Sequence, residues 1–416
     1  MTKEKSTVPR LRFPGFTDAW KQRKLGEVAT FAKGNGYSKK DLVIEGSPII
    51  LYGRLYTKYE TVISEVDTFV SVEDNNNSVV YSEGGEVLVP ASGESSLDIA
   101  RASVVAKKGI ILGGDINIIR LHSEIFPVFL ALTISNGKQQ KGLSKRAQGK
   151  SVVHLHNSDL KKVDLDFPTL PEQEAIGSFF SDLDQLITLH QRKLDDVKEL
   201  EKALLQKMFP KGNGNDFPEL RFPEFTDAWK QRKLGEVAEK VSQKNLDRQY
   251  VETFTNSAEF GIISQRDFFE KNISSLDNIS GYYIVSPDDF VYNPRISNLA
   301  PVGPIKRNKL GRVGVMSPLY TIFRFSDIHL DFVEKYFDTT IWHRYMELNG
   351  DSGARSDRFA IKDSVFKGLP IPLPTLPEQE AIGSFFSDLD QLITLHQRQL
   401  DHLKLLKKAL LQQMFI

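Results

Sequence analysis

Three short segments contain residue types used in phosphate and nucleic-acid chemistry, but none of them completes its motif. Gly149-Lys150-Ser151 ends like a phosphate-binding loop, but Ser144 occupies the place of the glycine required five positions earlier. Asn293-Pro294-Arg295-Ile296 departs from the Asn-Pro-Pro-aromatic motif that holds a flipped adenine in amino-methyltransferases, and Pro287-Asp288-Asp289 lacks the remainder of a nuclease core. HExxH and GxSxG are also missing from the sequence. The sequence therefore predicts a chain without catalytic residues and without a metal site.

Two other segments combine cations with polar residues and contain no acid: Lys138–Lys150 and Pro294–Arg312. Lys and Arg neutralise phosphates, whereas Arg, Asn and Gln also bond base edges. Solvated surface loops have the same composition, so for any single residue that alternative stays open. Polar loops at Gly34–Lys40 and Asn349–Arg355 are secondary candidates. The residues predicted to contact DNA are Lys33, Lys138, Lys141, Lys145, Arg146, Gln148, Lys150, Ser151, Arg295, Asn298, Lys306, Arg307, Asn308, Arg312, Arg355 and Arg358.

The overall charge argues against nucleic acid, because 54 basic residues balance 54 acidic ones. That balance is an average over the chain. The stretch from Glu172 to Asp196 is acidic, whereas the two segments named above are basic. Segregated charge allows a neutral protein to present a positive face.

The elements that must position these segments occur twice. Residues 11–29 and 220–238 differ only at Gly15 against Glu224, and residues 168–194 and 374–400 differ only at Lys193 against Gln399. The inserts between them, 30–166 and 239–373, have no similarity detectable by eye. A period of roughly two hundred residues predicts a repeat of a whole domain with its connector, and hence pseudo-twofold symmetry. This organisation suits a partner that docks identically on both halves while each half recognises something different.

Each connector has the pattern of a long coiled-coil helix. Thr169 and Thr375 are each followed three residues later by Glu, which has the form of a capping box at a helix start. The first helix should end at Phe209, because the sequence Pro-Lys-Gly-Asn-Gly-Asn that follows cannot continue a helix. Apolar residues then recur at heptad positions a and d over about five heptads. A helix of about 37 residues is roughly 55 Å long, enough for an antiparallel pair to act as a spacer. The central seam and partner residues are Ile176, Phe180, Leu183, Ile187, His190, Leu194, Ile382, Phe386, Leu389, Ile393, His396 and Leu400.

His190 and His396 occupy the middle of these helices and should lie close together in an antiparallel pair. One interpretation is a tolerated polar layer in the seam. The other is a layer that fixes the register of the helices, in which case replacing both histidines with leucine should loosen their alignment. Neither histidine has a second ligand at metal-binding spacing on the same face.

We therefore predict an α+β fold with two globular target domains joined by two long antiparallel helices. The expected boundaries are 1–167 and 220–373 for the domains, 168–210 and 374–416 for the helices, and 211–219 for a linker. The absence of cysteine excludes disulfides and thiolate metal sites. No apolar run approaches the ~20 residues of a membrane span, so we expect a cytoplasmic protein with no membrane partner.

The duplicated blocks resemble those of a known family. Pro-Thr-Leu-Pro-Glu-Gln-Glu from Pro168 and from Pro374, together with RFPxFxxxWxxxxLGE from Arg12 and Arg221, closely resemble the specificity subunit of type I restriction-modification systems. The resemblance implies that each insert recognises half of a bipartite site in double-stranded DNA. It also implies two modification subunits, which use S-adenosylmethionine, and restriction subunits, which use ATP and Mg²⁺. A stand-alone DNA enzyme and a purely structural scaffold are the rival hypotheses.

Overall fold

The computed structural model describes residues 9–72, 79–149, 152–211, 217–269, 278–351 and 357–415. Over these ranges the chain mixes strands with helices, which confirms the expected α+β character. The strands are β1 Lys21–Lys24, β2 Ala29–Lys33, β3 Leu42–Val43, β4 Ser47–Ile50, β5 Val62–Ile63, β6 Phe69–Val70, β7 Val87–Pro90, β8 Ser92–Gly93, β9 Ser103–Val105, β10 Ile111–Leu112, β11 Ile116–Leu121, β12 Val153–His154, β13 Asp164–Phe167, β14 Lys230–Lys233, β15 Ala238–Val241, β16 Phe254–Ser257, β17 Gly261–Ser264, β18 Tyr283–Val285, β19 Phe290–Tyr292, β20 Ile305–Arg307, β21 Gly314–Met316, β22 Thr321–Phe325 and β23 Pro370–Leu373. The helices are α1 Leu25–Val28, α2 Arg54–Thr57, α3 Pro127–Ser135, α4 Gly137–Arg146, α5 Asn157–Leu160, α6 Leu170–Lys207, α7 Leu234–Val237, α8 Gln265–Phe269, α9 Leu330–Asp338, α10 His343–Asn349, α11 Asp363–Phe366 and α12 Leu376–Met414.

The chain forms two compact units. Unit 1 comprises Met1–Arg192 with His396–Ile416, and unit 2 comprises Lys193–Leu395. The main sheet of unit 1 has the strand order β2-β11-β7-β9-β5. Strand β11 lies between β2 and β7, is antiparallel to both and has its first four residues buried. The Ile-rich sequence of β11 is typical of a strand covered on both faces.

Unit 2 has the same plan built from unrelated residues. Its main sheet has the order β15-β22-β19-β20, and β22 is antiparallel to both β15 and β19. In unit 1 the sheet is followed by α3, α4 and α5, and in unit 2 by α9, α10 and α11. The two inserts therefore share a sheet-and-helix plan that their sequences do not reveal.

The duplicated frame is joined to the start of each long helix by a buried ion pair. Arg12 donates from Nε and Nη2 to the two Glu172 carboxylate oxygens over 2.6 and 2.7 Å, and Arg221 contacts Glu378 over the same distances. The helices begin directly after Thr169 and Thr375, as predicted, but both oxygens of each glutamate serve an arginine rather than a capping box. The capping-box pattern predicted a local hydrogen bond for Glu172, whereas its partner Arg12 lies 160 positions away in the chain.

The next duplicated residues hold each insert against its helix. Gln173 Oε1 accepts a hydrogen bond from the Phe126 backbone N–H over 2.9 Å, and Gln379 does the same for His329 over 3.1 Å. Gly177 follows one turn later, and a Cβ there would lie 2.5 Å from the Phe126 ring. The duplicated sequence therefore specifies a close approach between the frame and whichever insert it carries.

Within each unit, segments of α6 and α12 run antiparallel. In unit 1, Phe180 near the start of α6 packs against Phe415 after the end of α12, with ring centroids 6.4 Å apart. In unit 2, Phe209 after α6 packs against Phe386 near the start of α12 at 6.5 Å. Helix α6 ends at Lys207, two residues before the predicted Phe209, because the chain there bends to bury Phe209 in the core of unit 2.

Candidate nucleic-acid interface

One end of the main sheet carries the loops of unit 1. Strands β2 and β7 end there at Lys33 and Pro90, and β11 begins there at Ile116. These residues are neighbours in the sheet, since Asn117 opposes Lys33 and Ile116 opposes Pro90. We call this end the loop edge of the unit. Lys33 is exposed on it, as a DNA-contacting residue would need to be.

After α4, Gln148 and His154 pair in an isolated β-bridge at the loop edge. Gln148 and His154 exchange backbone hydrogen bonds of 3.1 and 2.8 Å, and both residues are exposed. His154 also opposes Ser92, with Ser92 Oγ 3.0 Å from His154 Nδ1. Gly149 has a φ of +128°, and a Cβ there would lie 1.9 Å from the Val152 carbonyl oxygen, so the turn requires glycine. No local sequence pattern marked His154 or Ser92 as candidates.

The basic segment beginning at Lys138 forms helix α4, although its composition suggested a loop. Leu143 is fully buried, whereas Lys141 and Lys145, which stand four residues apart, are exposed on the opposite face. Ser144 Oγ lies 2.8 Å from Ser96 Oγ, which joins the end of this helix to the loop that follows β8. The helix therefore presents two outward-facing lysines next to the loop edge.

The two remaining described cations of this segment are engaged within the fold. Lys138 forms an ion pair with Asp166, which is buried. Arg146 donates to the Asp159 carbonyl oxygen over 2.9 Å and is half-buried. A positioning role in unit 1 accounts for both side chains.

The loop edge of unit 2 brings together two of the predicted cations. Arg295 and Arg358 oppose each other in a β-bridge just beyond the end of β19. The side chain of Arg295 is 68% exposed, and its Nη2 lies 3.5 Å from an Asp357 carboxylate oxygen. Asn298 is exposed at the tip of the tight turn 297–300. These residues occupy the place that Ser92 and His154 occupy in unit 1.

Arg307 belongs to the opposite end of the sheet, so the basic segment that contains it does not form one surface. It opposes Phe290, the first residue of β19, whereas Arg295 follows the last. Its Nε donates to Asp288 over 2.7 Å, its Nη1 donates to Asp331 over 2.6 Å, and its side chain is 14% exposed. Arg307 is therefore part of a structural ion-pair network.

Three neighbours predicted to contact DNA are engaged in the same way. Asn308 is 1% exposed and donates to the carbonyl oxygens of Ser286 and Arg312. Arg312 forms a bidentate pair with Glu252 at 2.7 and 2.8 Å, and this hydrogen bonding lowers the pKa of that carboxyl. Lys306 is bonded to Asp338 over 2.7 Å. The sequence correctly marked these residues as polar and basic, but their partners come from elements distant in the chain.

Three predicted residues, Lys150, Ser151 and Arg355, lie outside the described residues. Over the described ranges, no three His, Asp or Glu side chains are grouped so that they could hold a metal ion. No helix in the same ranges has the combined length and apolar character needed to cross a bilayer.

The predicted seam residues of the two long helices are all buried or half-buried. His190 and His396, both in unit 1, lie side by side with their Nδ1 atoms 3.4 Å apart. Beside the seam on α6, Phe179 and Leu186 in unit 1 remain 37% and 40% exposed, and Leu200 in unit 2 remains 50% exposed.

Comparison with known proteins identifies the family. A model of the type I restriction modification DNA specificity domain matches residues 17–199 and again 226–405. The MjaVIII specificity subunit of Methanocaldococcus jannaschii is 21% identical over 414 residues, covering 96% of this chain and 92% of that protein. The putative MjaX specificity subunit of the same organism is 25% identical over 421 residues, covering 94% and 92%. A crystal structure of the type I restriction-modification S subunit from M. genitalium has a similar fold, with a TM-score of 0.61, 16% identity and coverage of 98% and 99%. Because the family model matches most of the chain in two successive copies, the chain belongs to the type I restriction-modification specificity family and is a specificity subunit with two such domains.

Proposed function

We propose that the loop edges of units 1 and 2 each read one half of a split DNA target. The observation that carries this proposal is a common sheet plan with different side chains at the loop edge: Ser92 and His154 in unit 1, Arg295 and Arg358 in unit 2. Side chains that differ on one scaffold read different bases, since arginine matches guanine whereas serine can bond several base edges.

The cations that position DNA are distributed unequally. Helix α4 presents Lys141 and Lys145, whereas its counterpart α10 presents Arg344 and Glu347, whose charges cancel. Phosphate contacts supply affinity without sequence information. We therefore assign a larger share of the non-specific affinity to unit 1.

The long helices set the separation of the two half-sites and dock two modification subunits. Support for docking comes from Phe179, Leu186 and Leu200 on α6 and from Leu392 and Leu395 on α12, all of which are exposed. Large apolar residues grouped on an exposed surface are typical of protein interfaces. Leu186 and Leu392 are equivalent residues of the duplicated blocks, so each helix offers an exposed leucine at the same place.

Chemistry resides on the partner subunits in this proposal. Adenine methylation uses S-adenosylmethionine bound to the modification subunits, and DNA translocation and cleavage use ATP and Mg²⁺ on the restriction subunits. The chain alone, incubated with S-adenosylmethionine or Mg²⁺ and DNA, should neither methylate nor cut. Turnover by the purified chain would favour the rival hypothesis of a stand-alone DNA enzyme.

Exchange of one insert tests the reading function. Residues 30–166 are replaced by the insert of another family member, and a matched variant replaces 239–373 instead. Methylation mapping of the assembled complex should show a change in one half of the target in the first variant and in the other half in the second. A change in both halves from a single exchange would contradict independent reading.

A further inference from the structure

The two halves of the duplicated frame differ in charge at one buried seam position. Glu201 on α6 and Lys407 on α12 are equivalent, since each is followed by Lys-Ala-Leu-Leu-Gln. The residues that face this position, Asp184 in unit 1 and Asp390 in unit 2, are identical in the two copies. The helices thus supply a cation and a carboxylate in unit 1, but two carboxylates in unit 2.

In unit 1 the buried charges of the two long helices pair with each other. The Lys407 ammonium forms an ion pair with Asp184, whose side chain is 10% exposed, and lies 3.2 Å from a Glu60 carboxylate oxygen. Thr61 Oγ1 donates to the other Asp184 oxygen over 2.9 Å. Burial raises the pKa of Asp184 despite these partners.

In unit 2 the missing cation comes from the insert. Lys335 on α9 is 7% exposed, and its Nζ lies 2.6 Å from Glu201 and 2.8 Å from Asp390. The third carboxylate nearby is Asp338 on its own helix, 3.7 Å away and also bonded to Lys306 on β20. Lys335 therefore neutralises two helices that would otherwise place like charges together.

The first insert carries leucine where the second carries Lys335. Phe129 on α3 and Phe332 on α9 are equivalent, because each ring packs on the first tryptophan of its unit and on the phenylalanine that follows the long helix. Three residues further along, α3 has Leu132 and α9 has Lys335. Leu132 is 2% exposed and lines a cavity of about 90 Å³ together with Lys407.

We propose that the charge at this buried seam position, negative at Glu201 and positive at Lys407, determines which insert each half of the frame accepts. The second half accepts an insert with a cation at the position of Lys335. The first half accepts an insert with an uncharged residue there. An insert with leucine at this site, placed in the second position, leaves Glu201 and Asp390 buried against each other. An insert with lysine there, placed in the first position, sets a second cation beside Lys407. Uncompensated buried charges are far more costly than the same residues paired. The role of the inserts as readers rests on the proposed function, whereas their fit to the frame does not.

The test is thermal unfolding of the full-length chain without DNA, followed by fluorescence of Trp229 and Trp342 in unit 2. Lys335→Met should lower the unfolding midpoint by roughly 10 °C at neutral pH, because two carboxylates lose their shared cation. Adding Glu201→Lys to that variant recreates the lysine–aspartate pair of unit 1 and should restore most of the loss. Lys309→Met, which removes a half-exposed lysine bound to Glu334 on the same insert, is the matched control and should change the midpoint by only about 2 °C.

Measurement at two pH values separates charge from packing. Burial already raises the pKa of Glu201 in the wild type, and removing the Lys335 ammonium should raise it further above the unfolded-state value. The deficit of Lys335→Met is then present above that raised pKa and shrinks as the pH falls through it and the carboxylate binds a proton. A packing defect would not depend on pH in this way.

Each outcome of these measurements either supports or overturns the proposal. A Lys335→Met midpoint equal to wild type overturns the proposal, as does a deficit of the same size at both pH values. If Lys335→Met fails to fold, the double variant decides: folding supports the assignment by charge, and failure overturns it. Because DNA is absent, none of these results depends on whether the inserts read half-sites.

Discussion

Removing the two outward-facing lysines of α4 should weaken DNA binding and make the binding affinity less dependent on salt concentration. Lys141 and Lys145 are exposed on the face opposite Leu143, and in the described part of the chain neither has an ion-pair partner. Their charges are therefore free for phosphates. The variant Lys141→Ala/Lys145→Ala removes both without disturbing the buried face of the helix.

The magnitude follows from counterion release. Each phosphate contact contributes about −0.9 to the slope of log K against log salt, so loss of two contacts should make the slope shallower by about 1.8. When salt is raised fourfold, from about 50 to 200 mM, the affinity of both proteins falls, and the factor by which it falls should be roughly 12 times smaller for the variant than for wild type. Because phosphates carry no sequence information, matched and mismatched targets should weaken alike.

Fluorescence anisotropy of a labelled target duplex, with the chain assembled with its modification subunits, measures this slope. Lys107→Ala/Lys108→Ala is the matched control, since both lysines are exposed in a turn after β9 at the opposite end of the sheet. The control should keep the wild-type slope. An unchanged slope in the α4 variant, or an equal change in the control, would refute the assignment of the loop edge as the DNA-binding side.

Two further predictions concern the frame. Glu172→Gln should lower the free energy of unfolding by roughly 3 kcal/mol in urea denaturation, because it leaves the buried Arg12 guanidinium without its counter-charge; a loss within experimental error would show that the pair is dispensable. Gly177→Ala should cost about 1–3 kcal/mol, since its Cβ meets the Phe126 ring, whereas Gly142→Ala in α4, with nothing within 4 Å, should gain about 0.5–1 kcal/mol. Equal effects at the two glycines would contradict the close approach of insert and helix.

Features encoded within a few residues were predictable. The duplicated blocks predicted a repeated frame, the Thr-x-x-Glu pattern placed the start of α6 after Thr169, and the heptad pattern placed His190 near His396. Helix periodicity and caps depend on residues three or four apart, so a linear sequence displays them directly. The basic character of α4 was equally visible, although its helical form was not.

The partners of the charged residues were not predictable. Arg307 and Arg358 have the same side chain and were both predicted to contact DNA, but the sheet register carries Arg307 to acids on α9 and leaves Arg358 at the loop edge beside Arg295. Register is fixed by pairings between strands far apart in the chain, and no local pattern records them. The same holds for Glu172, whose local pattern indicated a cap and whose partner is Arg12.

By itself the sequence determined that this protein is a duplicated frame with two unlike inserts, because near-identical blocks and heptads are properties of the chain read in order. Three-dimensional packing was needed to establish that the inserts share one sheet-and-helix plan, that their loop edges carry different side chains, and that Lys335 supplies in unit 2 the buried cation that Lys407 supplies in unit 1. Whether a buried carboxylate is paired or repelled depends on which residues lie within a few ångströms of it, and packing can bring together residues that are more than two hundred positions apart in the chain.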